Sequence, residues 1–166
     1  MNNSKEYLDK ISKIIEPPYL YEMMNYGVGT EEEMEYILRK IFYGERVVLT
    51  YNYKIYIFKK SKEIYYEDYG GYWYKKEYDD RDNEIFFLNK HNFWCKMEYD
   101  DNNNNTKYEN SDNYWWRNEF DTNGNRIYFE NSNGVYVKQE YDEKGNKIYY
   151  ENSEGEIVDL RYEKIN

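Results

Sequence analysis

The sequence predicts an α+β, mainly β fold: a small N-terminal helical cap, then an antiparallel β-hairpin repeat array with a 21-residue period that forms an extended meander sheet. Three observations predict it. The segments Tyr72–Asp79, Phe93–Asp100, Tyr114–Asp121 and Val135–Asp142 align without a gap at that one spacing, which is the mark of a repeat architecture. Each aromatic and β-branched run is bounded by turn clusters such as Asp121-Thr122-Asn123-Gly124-Asn125 and Asn131-Ser132-Asn133-Gly134, so a unit reads as one hairpin. A capping box and an apolar stripe at helical spacing precede the array.

Taken in order, Ser4 is an N-cap for a first helix whose stripe is Leu8, Ile11, Ile14 and Ile15, ended by Pro17-Pro18. Tyr19-Leu20-Tyr21-Glu22-Met23-Met24 adds a short helical turn before the Gly27-Val28-Gly29 break. Thr30-Glu31-Glu32-Glu33 is the capping box, with three carboxylates at the positive end of the helix dipole. Met34, Ile37, Leu38, Ile41 and Phe42 form one face, and Gly44 stops the helix. Its expected job is to cover part of the sheet. Val47–Tyr51 and Ile55–Phe58 read as strands, and Glu63–Glu67 aligns with the second strand of the repeat, so 47–67 is a worn first unit and the array holds about five hairpins. The expected division is 1–45 as the helical segment and 46–166 as the array, whose fifth, degenerate copy starts at Glu156. Asn102–Asn105 reads as an expanded, mobile loop tip.

Side chains alternate across a strand, which puts Trp73, Lys75 and Glu77 on one face and Tyr72, Tyr74 and Tyr78 on the other. The repeat extends these into an aromatic row (Trp73, Trp94, Trp115, Tyr136), a basic row (Lys75, Lys96, Arg117, Lys138) and an acidic row (Glu77, Glu98, Glu119, Glu140). The basic and acidic rows are expected to form a cross-strand salt ladder. Tyrosine suits such a sheet, because the ring packs while the hydroxyl stays wet, and this accounts for 24 of them.

Phe120-Asp121-Thr122-Asn123-Gly124-Asn125 and Tyr141-Asp142-Glu143-Lys144-Gly145-Asn146 resemble the Tyr-Asp-x-x-Gly-Asn core of YD-type repeats, and Ile148-Tyr149-Tyr150-Glu151-Asn152 resembles variant MORN-type hairpin repeats. The resemblance covers roughly residues 68–163. The segments at Tyr78 and Tyr99 lack the glycine. Long YD arrays form shells around toxins, for which four or five copies are too few, so the resemblance implies hairpins and no activity. Short arrays of this wording are also similar to small proteins carried by phages of low-GC bacteria.

The charge is uneven. Residues 1–67 carry a net −1, whereas 68–166 carry −9 of the total −10, so the acidity belongs to the repeats. A field of that sign repels nucleic acid and membrane surfaces and steers toward basic partners. Cys95 is the one cysteine, which excludes an internal disulfide, and no apolar run of about 18 residues exists. The expectation is a soluble cytoplasmic protein of a host bacterial cell.

The candidate partner-binding residues are Asp79, Asp80, Asp82, Asp100, Asp101, Asp121, Asp142 and Glu143 in equivalent turns, with Tyr72, Tyr74, Tyr78 and Tyr99 beside them. Two readings stand side by side. Aspartate favours turns because its side chain bonds nearby amides; stacked at about 10 Å per hairpin, the same carboxylates also make an anionic ladder that substitutes for phosphates on a basic channel. Asp121-x-Asn123-x-Asn125 copies the start of a calcium loop, but Arg126 stands where a glycine is needed and Ser132 where a bidentate glutamate is. A regular glutamate row is no catalytic pair, since an active site needs one special pair. His91 reads as a solvated turn residue and Cys95 as a small apolar packing group. The tryptophan row Trp73, Trp94 and Trp115 reads as packing beneath the helices, or as a stacking surface for sugars or bases. No catalytic residue, metal or cofactor is expected. The expected function is a non-enzymatic phage anti-defence inhibitor, anti-CRISPR-like, with a basic protein partner such as a bacterial defence nuclease or CRISPR effector. The alternatives are an antitoxin or immunity protein that neutralises a co-encoded toxin, and a carbohydrate-binding repeat module.

Overall fold

The computed structural model of the chain describes residues 18, 19, 23, 30–50 and 53–162. Helix α1 (Glu31–Ile41) leads into twelve described strands whose order in the sheet is their order along the chain: β1 (Arg46–Leu49), β2 (Ile55–Lys59), β3 (Lys62–Glu67), β4 (Trp73–Tyr78), β5 (Glu84–Asn89), β6 (Trp94–Tyr99), β7 (Asn105–Asn110), β8 (Trp115–Phe120), β9 (Arg126–Asn131), β10 (Tyr136–Tyr141), β11 (Lys147–Asn152) and β12 (Ile157–Asp159). The α+β, mainly β architecture expected from the repeat is the one observed. The chain forms two compact units, 1–77 with 87–92 and 78–86 with 93–166.

In the first unit the Thr30 hydroxyl accepts from the Glu33 amide at 3.2 Å while the Thr30 amide donates to Glu33 Oε2, the reciprocal capping box the sequence spells. Helical spacing brings Met34, Ile37 and Leu38 to one side, where they are buried against Val47, Ile55, Ile57, Tyr65, Tyr19 and Met23. Tyr19 and Met23 are helical, as expected for that stretch, while the helix expected from Ser4 lies outside the described residues. The register Leu49↔Ile55, Val47↔Ile57 and Ile57↔Tyr65 keeps these side chains on one face, since a one-residue slip would turn them all outward. Glu67 is fully buried on that face, and the Tyr65 hydroxyl donates to its Oε2 at 2.7 Å. Burial, then the Glu67 charge, pushes the Tyr65 hydroxyl far above the usual tyrosine value, so it stays a donor.

The other face of this unit is an aromatic ladder. Tyr56, Tyr66, Tyr74 and Phe87 follow one another at ring separations of 5.1, 5.3 and 5.7 Å, the first pair tilted and the other two stacked. Such cross-strand ring pairs stabilise a sheet that has water on one side.

The second unit carries little deep core: among its described residues only Cys95 and Gln139 are buried. Its strands are held by pairs, and here the register corrects the expected salt ladder. Lys96 lies opposite Glu109, Arg117 opposite Glu130 and Lys138 opposite Glu151, and those are the ion pairs formed. The acids that meet the basic row therefore sit on the second strand of each hairpin. Glu98 pairs with Lys107 at 2.9 Å and Glu140 with Arg161 at 3.0 Å, because residues two apart on one strand do not face each other across a ladder. The loop expected to be expanded at Asn102–Asn105 is no longer than its equivalents: Asn104 is bonded to Asp100 and Asn105 already opens β7.

Leu38→Ala, which empties a fully buried site between α1 and β1–β3, is expected to cost about 2–5 kcal/mol in urea denaturation.

Candidate binding edge

The aspartate of each repeat is the fixed point of its turn. In the turn that starts at Asp121, Oδ1 accepts from the Asn123 and Asn125 amides, both at 2.9 Å, and Oδ2 accepts from Asn125 Nδ2 at 2.9 Å. The backbone closes the same loop, with Gly124 N–H donating to Asp121 O and Asp121 N–H to Asn125 O. The pattern repeats at Asp79 with Arg81 and Asn83, at Asp100 with Asn102 and Asn104, and at Asp142 with Lys144 and Asn146. Every such turn needs a left-handed fourth residue, filled by Asp82 (φ 67), Asn103 (φ 65), Gly124 (φ 83) and Gly145 (φ 81). Only glycine and short Asx side chains take that conformation readily, which is why asparagine or aspartate replaces the glycine missing from the first two repeats.

Those bonds set the chemistry. The donated Asn side-chain N–H and backbone N–H groups hold the carboxyls of Asp79, Asp100, Asp121 and Asp142 below the usual aspartate range, so each stays ionised. Their oxygens are nevertheless occupied within their own turns. The turn-favouring reading of these four is the one the geometry shows. Asp80, Asp101 and Glu143 stand at the next position and are exposed, as is Asp82. Antiparallel alternation puts all four turns on one edge of the second unit. The first two of these turns are tied directly, Arg81 Nη1 donating to Asp100 O at 2.6 Å and Asn83 Nδ2 to Asn103 Oδ1 at 2.9 Å.

The opposite ends of the strands use asparagine in the same way. Asn110, Asn131 and Asn152 each accept from backbone amides two and four residues on. The amides of Ser111, Ser132 and Ser153 then bond back to the carbonyls of Trp94, Trp115 and Tyr136. The acidic side chains thus concentrate on the aspartate edge.

The four tyrosines are placed differently from one another. Tyr72 is 37% exposed, with its ring 6.3 Å from that of His91, and Tyr74 is stacked between Tyr66 and Phe87 with its hydroxyl on Glu63; both belong to the first unit. Tyr78 and Tyr99 belong to the second and are half-buried, the Tyr99 hydroxyl donating to Glu84 O at 3.1 Å. His91 is exposed in its turn and Cys95 is buried, as expected. Trp73 packs against the core of its unit, whereas Trp115 is 39% exposed beside charged side chains. The role of Asn83, Asn104, Asn125 and Asn146 as donors to the turn aspartates is not among the sequence expectations, although their constant spacing of four from each aspartate is a visible signal. In the calcium-like stretch, Asn125 turns an N–H toward Asp121, the wrong group for a cation; among the described residues no cluster of His, Cys, Asp and Glu is arranged to hold a metal.

The chain is a β-hairpin repeat protein. No protein-family model and no curated protein matches it. Among solved structures, the crystal structure of TcdB2-TccC3-TEV is similar with a TM-score of 0.46 and 13% identity, over 72% of this chain and 6% of that one. This chain therefore spans a small part of that protein's length, and the likeness assigns no activity. No helix among the described residues is long and apolar enough to cross a membrane.

Gly124→Ala is expected to destabilise the protein by about 1 kcal/mol in urea unfolding, from backbone strain alone, because nothing lies within 4 Å of an added Cβ. Gly124→Asn is expected to cost less, since Asn103 holds the equivalent place. The lowered aspartate values also set a direction with pH. The stabilisation they contribute is fully present above the ordinary aspartate value of about 3.9 and is lost as pH falls through the lower folded values. Thermal unfolding from pH 7 to pH 2 should show it, with Asp121→Asn flattening the acid limb.

Proposed function

We propose that the chain is a non-enzymatic interaction protein that docks its aspartate edge on the basic nucleic-acid channel of an effector, in the manner of a phage anti-defence inhibitor acting on a bacterial defence nuclease or CRISPR effector. One observation supports it above the rest: equivalent acidic turns lie along one edge of the second unit, the first two bonded to each other, with Asp80, Asp82, Asp101 and Glu143 exposed at their tips. Hairpins advance about 10 Å each, so these tips form a row of carboxylates carried on closed turns. A preformed row meets a basic channel without the ordering cost that flexible acidic tails incur. Its long-range field speeds encounter with a cationic surface.

The turn-building aspartates are the wrong residues to test, because their oxygens close the turns and a substitution there changes hairpin stability together with charge. Asp80→Lys/Asp101→Lys/Glu143→Lys changes only exposed tips and keeps every hydrogen bond of the turns. Capture of a nucleic-acid-binding effector from the native host, weakened by raised salt and reduced at least tenfold by the triple variant, is the expected result. Undiminished capture by the triple variant would reject this docking edge, and recovery of a co-encoded toxin in place of a nuclease would favour the immunity reading.

A further inference from the structure

The repeat lets each position be compared with its equivalents 21 residues away, and at β12 the comparison shows an inversion. The first strand of each unit carries a cation and, two residues on, a glutamate: Lys75 and Glu77, Lys96 and Glu98, Arg117 and Glu119, Lys138 and Glu140. The next copies of these positions are Asp159 and Arg161. Both charges are reversed.

The inversion lies where a further strand would meet the sheet. Lys96, Arg117 and Lys138 each face a glutamate on the following strand: Glu109, Glu130 and Glu151. A further strand of the array's own sequence would therefore set its glutamate opposite Asp159. Like charges directly across a ladder repel.

The strand is otherwise open to addition. β12 is the last strand among the described residues, and no described strand pairs with its outer side. The Leu160 amide donates inward to Ile148 O at 2.8 Å, so strand alternation leaves the amides of Ile157 and Asp159 facing outward. Ile157 is 62% exposed and Val158 42%. Backbone groups and apolar surface are both available, and the charges are what discriminate.

Those charges are held in place. Arg161 bonds Asp159 through its backbone amide and guanidinium, with Nη2 to Oδ2 at 2.6 Å, and reaches Glu140 Oε1 at 3.0 Å. Its guanidinium lies 4.2 Å from the Tyr149 ring. β12 ends after three strand residues, where β6–β11 each run for six, and Arg161 and Tyr162 lie in a turn. Proteins blunt exposed sheet edges with short strands and fixed charges of this kind.

We infer that β12 presents a selective edge, whose inverted Asp159–Arg161 pair refuses a further strand of the array's own sequence and accepts instead an extended segment with a cation opposite Asp159. The inference is independent of the aspartate edge, which lies at the strand ends. Arrays of this sequence then do not add to one another at β12, although the backbone there is competent to pair.

The test uses the full chain and fluorescently labelled peptides that copy residues 146–153, one with the native sequence and one carrying Glu151→Lys, read by anisotropy. The intact chain is expected to bind the Glu151→Lys peptide at least tenfold more tightly than the native one. The chain carrying Asp159→Lys/Arg161→Glu is expected to reverse that preference. Equal affinity of the intact chain for the two peptides, or tighter binding of the native one, overturns the proposal. The two peptides on the unaltered chain decide it even where circular dichroism shows that the double variant has lost β12.

Discussion

An Asx side chain that accepts the amides of its own turn is the interaction on which the rest of this structure depends. In the turns that begin at Asp79, Asp100, Asp121 and Asp142 at one end of the strands, and at Asn110, Asn131 and Asn152 at the other, the acceptor reaches the amides two and four residues on. Because the side chain substitutes for a hydrogen-bonded backbone turn, the loop length is fixed and so is the strand register that follows it. Two such turns and two strands make up the 21-residue period. The period is the length of chain needed to go out and return with every turn closed in the same way.

Fixed turns allow the two units to meet the problem of burial differently. In the first unit α1 supplies a second layer, and Ile37, Leu38, Ile55 and Ile57 are removed from water completely. In the second, rings are covered instead by the stems and heads of neighbouring cations. Lys96 lies 5.3 Å from the Trp94 ring, Lys138 5.3 Å from Tyr136, and Arg117 6.0 Å from Tyr128. A long cationic side chain shields an aromatic surface while its head stays solvated. The glutamates Glu109, Glu130 and Glu151 neutralise those heads from the adjacent strand, and Glu151 also accepts from the Tyr136 and Tyr149 hydroxyls, which hold it below the usual glutamate range.

The same economy bears on function. Carboxylates that appear as one acidic population in the composition divide by role. One set builds turns, one neutralises the basic row, and one, at Asp80, Asp101 and Glu143, stands in solvent with its carboxylates outside the turn bonds. Charge at the third set is free to be read by another molecule. The proposal of a basic partner rests on that division more than on net charge.

The sequence by itself determined the elements. The capping box set the start of α1, the 21-residue period gave the hairpins, and the Asx and Gly positions gave the turns, because each depends on residues within a few positions of one another. Tertiary structure alone decided which acid meets which base. Glu151 and not Glu140 faces Lys138, since the opposing residue is chosen by strand register, to which same-strand spacing is blind. It likewise decided that Asp121 is consumed by Asn125 while Glu143 is left to solvent, and that Glu67 is taken out of water beneath a helix. Hydrogen bonding and burial are set by what the fold brings within about 3 Å, and a one-dimensional pattern carries that distance only where the partners are neighbours in the chain.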